Sequence, residues 1–408
     1  MSTRILSART VLAGPDLAAI DEGAVVVEGT RIGWVGPLGE LPARYAEVPV
    51  QEYPGSTILP GLIDTHVHLG FDGGPDPVTR MRGQTDVQLL DVMRTAARTL
   101  AATGVTTVCD LGARGFLDLA LKKELADRPG TGPRVLSAAR PVTTREGHCW
   151  FMGGESETGI RDLEELVELH ALMGADVIKV MSTGGTMTVT TRPWQAQFSL
   201  EGLRALVARA HALGLRVTAH AHGRPGIDNA VRAGVDKLEH CTFLTEERAT
   251  LHDADLVARI VDQGIHVCPT LNVNSHELMS RRPGAAASIR AMYDAGVRLV
   301  AGTDAGIRNL PHDAYAEGLV TFTDLGVPAH EVLLMATVRA AESLGVADRV
   351  GTLAPGMAAD LVVAPGDPTA DVAVLRTVQR VVVDGADVVG SDVLTHRSPQ
   401  PQPAAVMA

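Results

Sequence analysis

The sequence predicts an α/β fold: a (β/α)8 TIM barrel that carries a small β-sandwich domain built from both chain ends. Three observations predict it: β-branched runs alternate with helical stretches in the middle of the chain, strand-like runs recur near both ends, and the length is 408 residues. Such alternation is typical of parallel strands covered by helices. A barrel of this kind takes roughly 250 residues, which leaves enough chain for one smaller domain.

Eight short β-branched runs are predicted to be the barrel strands. They are 57–65, 105–110, 134–138, 176–181, 216–220, 236–240, 265–269 and 297–303. Stretches with helical periodicity lie between them, and the clearest are 87–102, 161–173, 200–213, 256–263, 285–295 and 330–344. Several are followed by a glycine, such as Gly104 or Gly174, which can take the positive φ angle favoured at helix C-termini.

The chain ends, residues 1–56 and 350–396, are predicted to form the small composite domain, and residues 57–349 the barrel. Strand-like runs occur at 23–29 and 31–36, and again at 359–363 and 379–385. When strands occur at both ends of a chain whose middle part forms a barrel, the simplest arrangement is that they pair with each other. The segment 397–408 is rich in proline, alanine and glutamine, and it is predicted to be disordered.

The composition excludes several classes of protein. The chain has 36 basic and 48 acidic residues and a net charge of −12, opposite to the basic surface that binds nucleic-acid phosphates. Its four cysteines are far apart, which excludes a zinc ribbon and a disulfide scaffold. It contains no signal-peptide core and no run of 18 apolar residues. We therefore expect a cytoplasmic protein that binds a small molecule, and neither nucleic acid nor membrane.

Metal-competent side chains recur at the carboxyl ends of the predicted strands, where the catalytic groups of such barrels converge. His66 and His68 are two residues apart, so both side chains point to the same side of an extended strand. The other strands contribute Lys179, His220, His240 and Asp304. Four imidazoles and a carboxylate suit a borderline divalent ion such as Zn²⁺.

Lys179 does not fit this set as an ordinary ammonium group, because an ammonium has three donors and no acceptor. It lies in the apolar run Val177–Met181, where an unpaired charge is costly to bury. A neutral lysine amine can react with CO₂ to give a carbamate, whose two oxygens could bridge two metal ions. The alternative is a salt bridge from Lys179 to Asp304 or Asp64 in a site with one metal.

The set of six ligand residues resembles the binuclear, carboxylated-lysine branch of the amidohydrolase superfamily. The resemblance covers nearly the whole chain, including the lead-in Leu59–His68, the closing segment Gly351–Val363 and the split sheet domain. The general sequence pattern is similar to that of the imidazolonepropionase-like group. Within that group, Lys179 points to prolidase-like peptidases and amidases, which include Xaa-Pro and Xaa-Arg/Lys dipeptidases and ochratoxin-type amide hydrolases.

The resemblance implies two divalent metal ions, with zinc as the expected metal, and a carbamate formed on Lys179 from CO₂. It assigns the more buried metal to His66, His68 and Asp304, the more exposed one to His220 and His240, and the bridge to Lys179. A hydroxide between the two cations would be the nucleophile. Asp304 would then act as general base and general acid.

Further residues are candidates for contact with the substrate, in loops that follow the strands at 69–84, 143–158, 183–197, 271–284 and 305–315. They are His148, His222, Arg192, Trp194 and His312. The resemblance gives His148 a second role, donation of a hydrogen bond to the oxyanion. Arg192 could bind a substrate carboxylate and Trp194 could pack on the same group.

The expected function is hydrolysis of an amide-type C–N bond in a dipeptide or an N-acyl amino acid. Alternatives on the same site are hydrolysis of a cyclic amide, carbamate, urea or lactone, or deamination. Deaminases of the superfamily usually carry a glutamate three residues after the strand-five histidine, where this chain has Gly223. A non-catalytic binding scaffold is an alternative of another class, but the complete set of metal-competent residues argues against it. The resemblance also implies a homo-oligomer.

Overall fold

A computed structural model describes residues 3–156 and 159–388. The predicted end of the small domain beyond residue 388 and the segment 397–408 lie outside these residues. The chain begins with four strands in the described part: β1 (Thr3–Ala13), β2 (Ala18–Glu28), β3 (Arg31–Pro37) and β4 (Val50–Pro60). β1 pairs antiparallel with β2 and parallel with β4.

The next strands of the described chain form the barrel and a short two-stranded ladder beside it. The barrel strands are β5 (Leu62–Val67), β6 (Val105–Asp110), β7 (Arg134–Ser137), β10 (Val177–Met181), β11 (Arg216–Ala221), β12 (Lys237–His240), β13 (His266–Cys268) and β14 (Arg298–Leu299). The ladder consists of β8 (Thr143–Thr144) and β9 (Glu155–Ser156). The (β/α)8 barrel predicted from the sequence is confirmed.

The eight barrel strands of the described residues run parallel, and backbone hydrogen bonds close the ring. β5, β6 and β7 pair in order, and so do β10 to β14. The Asp176 amide donates to the Ser137 carbonyl (2.8 Å), which joins β7 to β10. The Thr65 amide donates to the Ala301 carbonyl (3.1 Å), which joins β5 to the end of β14. All carboxyl ends of the strands therefore open on the same face.

Strands from both ends of the described chain share one sheet. β15 (Leu361–Pro365) pairs with β4, and β16 (Arg380–Val383) and β17 (Ala386–Asp387) follow it. The Ile32 amide on β3 donates to the Met357 carbonyl (2.9 Å) just before β15, so the sheet closes around its own apolar core. Leu6, Ile58 and Leu361 belong to this core.

The helices of the described residues cover the barrel. They are α1 (Pro77–Gly83), α2 (Asp86–Ala102), α3 (Leu117–Ala126), α4 (Gly159–Met173), α5 (Leu200–Ala212), α6 (Arg224–Ala233), α7 (Ala254–Asp262), α8 (Ser275–Ser280), α9 (Ala285–Asp294), α10 (Tyr315–Asp324), α11 (Ala329–Ala336) and α12 (Val338–Leu344). As expected, Gly104 and Gly174, just after α2 and α4, have φ angles of 97° and 93°. In this part of the chain, every helix is too short or too polar to span a bilayer.

Two boundaries differ from the prediction. The run 57–65 contains two elements: β4 continues to Pro60 in the small sheet, and β5 begins at Leu62. Gly61 separates them because a Cβ there would meet the Thr106 side chain at 2.0 Å. The predicted helix 330–344 is two helices, because Thr337 takes φ −135° and ψ −90° between them.

Candidate metal centre

The carboxyl face of the barrel brings together the six residues that the sequence identified as ligands. β5 carries His66 and is followed by His68, β10 carries Lys179, β11 carries His220, β12 ends at His240, and Asp304 follows β14. Five of them are buried, and the Asp304 side chain is 14% exposed. This position agrees with the convergence of functional side chains at the strand ends of such barrels.

The first ligand group consists of His66, His68 and Asp304. The Nε2 atoms of both histidines lie 3.2 Å from Asp304 Oδ1, and the possible ligand atoms of the group all lie within 4.8 Å of one another. Burial raises the pKa of the Asp304 carboxyl, but His66 and His68 outweigh that effect and hold it well below its usual range. An ionised carboxylate between two imidazoles can share one divalent ion with them.

The second ligand group is made of His220, His222 and His240, whose ligand atoms also lie within 4.8 Å of one another. His240 Nε2 is 3.0 Å from His220 Nδ1, and the His222 ring stacks on the His240 ring at 4.4 Å between centroids. Burial lowers the pKa of all three imidazoles, which keeps them neutral and able to bind a metal. The His66 and His240 rings are 5.4 Å apart, so the two groups adjoin.

Lys179 is fully buried beside both groups. Its Nζ atom has no hydrogen-bond partner among the described residues, and it forms no ion pair with Asp304 or Asp64. Asp64 instead accepts hydrogen bonds from the Thr303 hydroxyl (2.6 Å) and amide (3.1 Å). Burial lowers the pKa of the Lys179 amine, against the attraction of Glu239 and Asp304. An unpaired, buried amine that readily loses its proton is suited to carboxylation by CO₂.

Glu239 is a residue of this centre that the sequence analysis missed. Its Oε2 lies 2.8 Å from His66 Nδ1, and its Oε1 lies 3.0 Å from Lys237 Nζ. Burial raises the pKa of Glu239, but Lys237 and His66 hold it well below its usual range. Because an ionised carboxylate only accepts, His66 must donate from Nδ1 to Glu239, which leaves Nε2 as the nitrogen that faces Asp304 and could bind a metal ion in its neutral form.

Replacement of this carboxylate, Glu239→Gln, is expected to weaken Zn²⁺ binding by about 10- to 100-fold, the usual effect of losing a partner that orients a ligand. Competition with a chelator measures the affinity. Asp118→Asn is the matched control, because Asp118 is a buried carboxylate that accepts from the Ser137 hydroxyl and the Ala139 amide instead. Equal loss of zinc affinity in both variants would show that Glu239 has no specific effect on His66.

Two predicted substrate-contact residues lie against the ligand groups. The His148 ring centroid is 4.6 Å from that of His220, and its Nδ1 is buried without a partner among the described residues. Burial lowers the pKa of His148 to about 3, so this imidazole is neutral. His312 Nε2 lies 3.2 Å from the His68 carbonyl oxygen, and burial lowers the pKa of His312 to about 4. A neutral His312 donates to that carbonyl and supports the backbone of His68.

The other two candidates lie differently. Arg192 is exposed, and its guanidinium donates to the carbonyl oxygens of Val189 (3.0 Å) and Thr191 (3.1 Å) in its own loop. Trp194 is half-buried and packs its backbone on Gly223, where a Cβ would meet the Trp194 carbonyl oxygen at 2.4 Å. Among the described contacts, neither side chain touches a ligand residue.

Two ligand residues take a left-handed backbone conformation. His240 has a φ of 68° and Asp304 a φ of 65°, although neither is a glycine. Such a conformation costs of order 1–3 kcal/mol and persists where the surrounding structure enforces it. For Asp304 the support is visible, because its amide donates to the His66 carbonyl (2.8 Å) on the neighbouring strand β5. Backbone strain therefore coincides with the ligand positions.

Comparison with known proteins shows which proteins the chain resembles. The chain is 27% identical over 395 residues to an ochratoxinase of Aspergillus niger, covering 86% of this chain and 79% of the relative. It is 27% identical to an imidazolonepropionase of Salinispora tropica, covering 84% and 85%. A crystal structure of a Xaa-Pro dipeptidase with bound methionine in the active site superposes with a TM-score of 0.82 at 25% identity, covering 95% of this chain and 99% of that one.

Two family models match the sequence. The imidazolonepropionase-like composite domain of bacteria matches residues 23–47, within the small sheet. The model described as amidohydrolase family matches residues 57–388, which include the whole barrel and β15 to β17. Hydrolysis of C–N bonds is the activity common to the named relatives. The chain belongs to the amidohydrolase family and is a hydrolase of C–N bonds.

Proposed function

We propose that this protein is a metal-dependent hydrolase that cleaves the amide C–N bond of a dipeptide or an N-acyl amino acid. The observation that carries the proposal is the unpaired Lys179 amine beside two adjoining ligand groups. Its charge affects the pKa values of His66 in the first group and of His220 and His240 in the second. The His66 and His240 rings, one from each group, are 5.4 Å apart, so one anion at Lys179 could serve both groups.

The residues present fit a pair of divalent ions, most simply zinc, held by the first group on one side and by His220 and His240 on the other. The neutral Lys179 amine would attack CO₂ and lose one proton, and the resulting carbamate anion would be a further ligand for such ions. When bound, such ions polarise a carbonyl group and lower the pKa of water. The same reaction would replace a buried, unpaired amine by an anion, which two divalent ions would stabilise when bound.

Asp304 and His148 supply the proton transfers and the hydrogen bond that amide hydrolysis needs. Asp304 takes a proton from the water whose oxygen bonds to the carbonyl carbon. It then delivers that proton to the nitrogen as the C–N bond breaks, and the products are a carboxylate and an amine. His148 is neutral and has a free ring nitrogen, so it can donate to the oxygen that gains negative charge.

The relatives support a linear amide as substrate. The Xaa-Pro dipeptidase is named for a dipeptide, its structure holds an amino acid, and ochratoxinase is named for ochratoxin. The imidazolonepropionase relative favours a cyclic amide as the second candidate. Deamination is less favoured, because Gly223 occupies the position where deaminases of the superfamily usually carry a glutamate.

A substrate panel tests the proposal. The zinc-loaded protein in bicarbonate buffer is given N-acyl amino acids, dipeptides, cyclic amides, carbamates, ureas, lactones and aminopyrimidines. We expect the highest kcat/KM for linear amides, at least tenfold above every other class. His66→Ala is the inactive control, and His211→Ala, on the exposed surface of α5, should behave as wild type. Preferred turnover of a cyclic amide, or of any other class, would contradict the proposal.

A further inference from the structure

The His148 ring is confined between two neighbours from other parts of the chain. On one side, its centroid is 4.6 Å from that of His220. On the other side it lies against Gly185, where a Cβ would meet Cε1 and Nε2 of His148 at 2.3 Å. Gly185 belongs to the loop 183–197, which lies between β10 and α5. The place of this imidazole therefore depends on a loop other than its own.

The backbone around His148 depends on the same neighbouring loop. The His148 amide donates to Gln197 Oε1 (2.7 Å), and the Cys149 amide donates to Thr188 Oγ1 (3.0 Å). Glu146 and Cys149 have positive φ angles of 54° and 58°, so the chain turns here and leaves regular pairing. Amides outside a regular ladder need other acceptors, and side chains of the neighbouring loop supply them.

Gln197 is held in turn by the barrel. Its Nε2 donates to the Met181 carbonyl at the end of β10 (2.8 Å) and to the Thr143 hydroxyl (3.3 Å). Its own backbone amide donates to the Ser182 carbonyl (2.8 Å). These neighbours fix the orientation of the carboxamide, since the His148 amide can only donate and the Met181 carbonyl can only accept. One side chain therefore links the His148 backbone to β10.

Such a link affects the hydrogen bond that His148 is proposed to donate. A donor must lie about 2.7–3.1 Å from the position that the developing oxyanion occupies. A displacement of about 1 Å can lower the rate by roughly 10²-fold. Because Nδ1 of His148 has no partner among the described residues, the backbone contacts and the packing on Gly185 must help to hold the ring.

We infer that Gln197 is a positioning residue for hydrolysis: it holds the His148 backbone against β10, so that the imidazole is directed at the oxygen that gains negative charge. This inference rests on the proposed function, since it deepens the role of His148. Gln197 acts through His148 and has no contact with the substrate. Its loss should therefore lower kcat and leave KM nearly unchanged.

A double-mutant cycle tests the assignment. Gln197→Ala is expected to lower kcat by roughly 10- to 100-fold, up to the range that loss of one oxyanion donor costs. KM should change by less than about threefold, because substrate binding in the ground state is unaffected. In a His148→Ala background, the same substitution should lower kcat by less than about threefold, since the ring that it positions is absent. Losses of equal size in both backgrounds would overturn the inference.

Gln195→Ala is the matched control. Gln195 is an exposed glutamine of the same loop, and its described hydrogen bonds use only the backbone. Its kcat, KM and zinc content should equal those of wild type. Elemental analysis and urea unfolding accompany the kinetics, and the zinc content of Gln197→Ala should also match wild type. Loss of zinc from Gln197→Ala would contradict the inference, because Gln197 would then support the metal centre instead of His148.

Two choices in the experiment separate this inference from the proposed function. The cycle uses whichever class of the substrate panel wild type hydrolyses fastest, so preference for a cyclic amide contradicts the proposed function alone. Hydrogen exchange tests the contact without turnover. The His148 amide should exchange about tenfold faster in Gln197→Ala than in wild type or Gln195→Ala, as expected for the loss of one hydrogen bond. Equal exchange rates in Gln197→Ala and wild type would overturn the inference even if linear amides are hydrolysed.

Discussion

Replacement of Lys179 by methionine is expected to remove at least one of the two metal ions and to lower kcat/KM by roughly 10³-fold or more. The expected loss reflects the several kcal/mol of transition-state stabilisation that a metal ion supplies. Methionine fills a similar volume and cannot react with CO₂. The Lys179 amine is buried and has no partner among the described residues. The free energy of unfolding of the metal-free variant should therefore equal or exceed that of metal-free wild type.

Lys237→Met is the matched control for this result. Lys237 is also a buried lysine of a barrel strand, but it pairs with Glu239 (3.0 Å) and donates to the Thr65 carbonyl (2.8 Å). Its removal leaves a buried carboxylate without its lysine, and we expect a loss of about 3–5 kcal/mol in the free energy of unfolding. Urea unfolding of metal-free proteins and elemental analysis of zinc-loaded ones measure the two effects. Full zinc content in Lys179→Met would rule out a bridge at this residue.

Asp304→Asn is expected to lower kcat by about 10²- to 10⁴-fold, the range that a general acid–base group supplies, while substrate still binds. Asparagine keeps an oxygen near His66 and His68, but it cannot take a proton from water or return one to the leaving nitrogen. Loss of the anion should also weaken zinc binding by the first group. Saturating zinc in the assay separates the two effects.

Steady-state kinetics at several zinc concentrations provide the measurement. Asp72→Asn is the control, since Asp72 lies in the loop after β5 and accepts from the Gly74 amide (3.0 Å) without contacting the ligand histidines. Unchanged kcat in Asp304→Asn at saturating zinc would exclude Asp304 from proton transfer. If added zinc fully restored kcat in Asp304→Asn, Asp304 would act only as a metal ligand.

The clustering of the six candidate ligand residues was predictable because two regular features of the sequence determine it. Side chains alternate along a strand, so His66 and His68 share a side, and parallel strands of a barrel end on one face. These features identify His220, His240 and Asp304 without knowledge of any distance. Alternation places Glu239 and His240 on opposite sides of β12, so it does not predict that both face the centre; the left-handed backbone of His240 breaks the alternation.

Other features could not be predicted, because they depend on contacts between distant parts of the chain. Gly61 ends β4 because of the Thr106 side chain, 45 positions further on, and the local sequence does not show that contact. The left-handed backbone of Asp304 is supported by a hydrogen bond to His66 on the neighbouring strand β5, which is distant in the sequence. Arg192 was favoured as a substrate contact by its place in the sequence, but its guanidinium donates to carbonyl groups of its own loop.

The number of zinc ions bound per chain is the most direct test of the proposed two-metal centre. Metal-depleted wild type is saturated with zinc in bicarbonate buffer and, separately, in buffer free of CO₂, and elemental analysis counts the bound ions. We expect two zinc ions per chain with bicarbonate and fewer without it, because the proposed bridge between the ions requires carboxylated Lys179. A single ion per chain in bicarbonate, or the same content in both buffers, would contradict it.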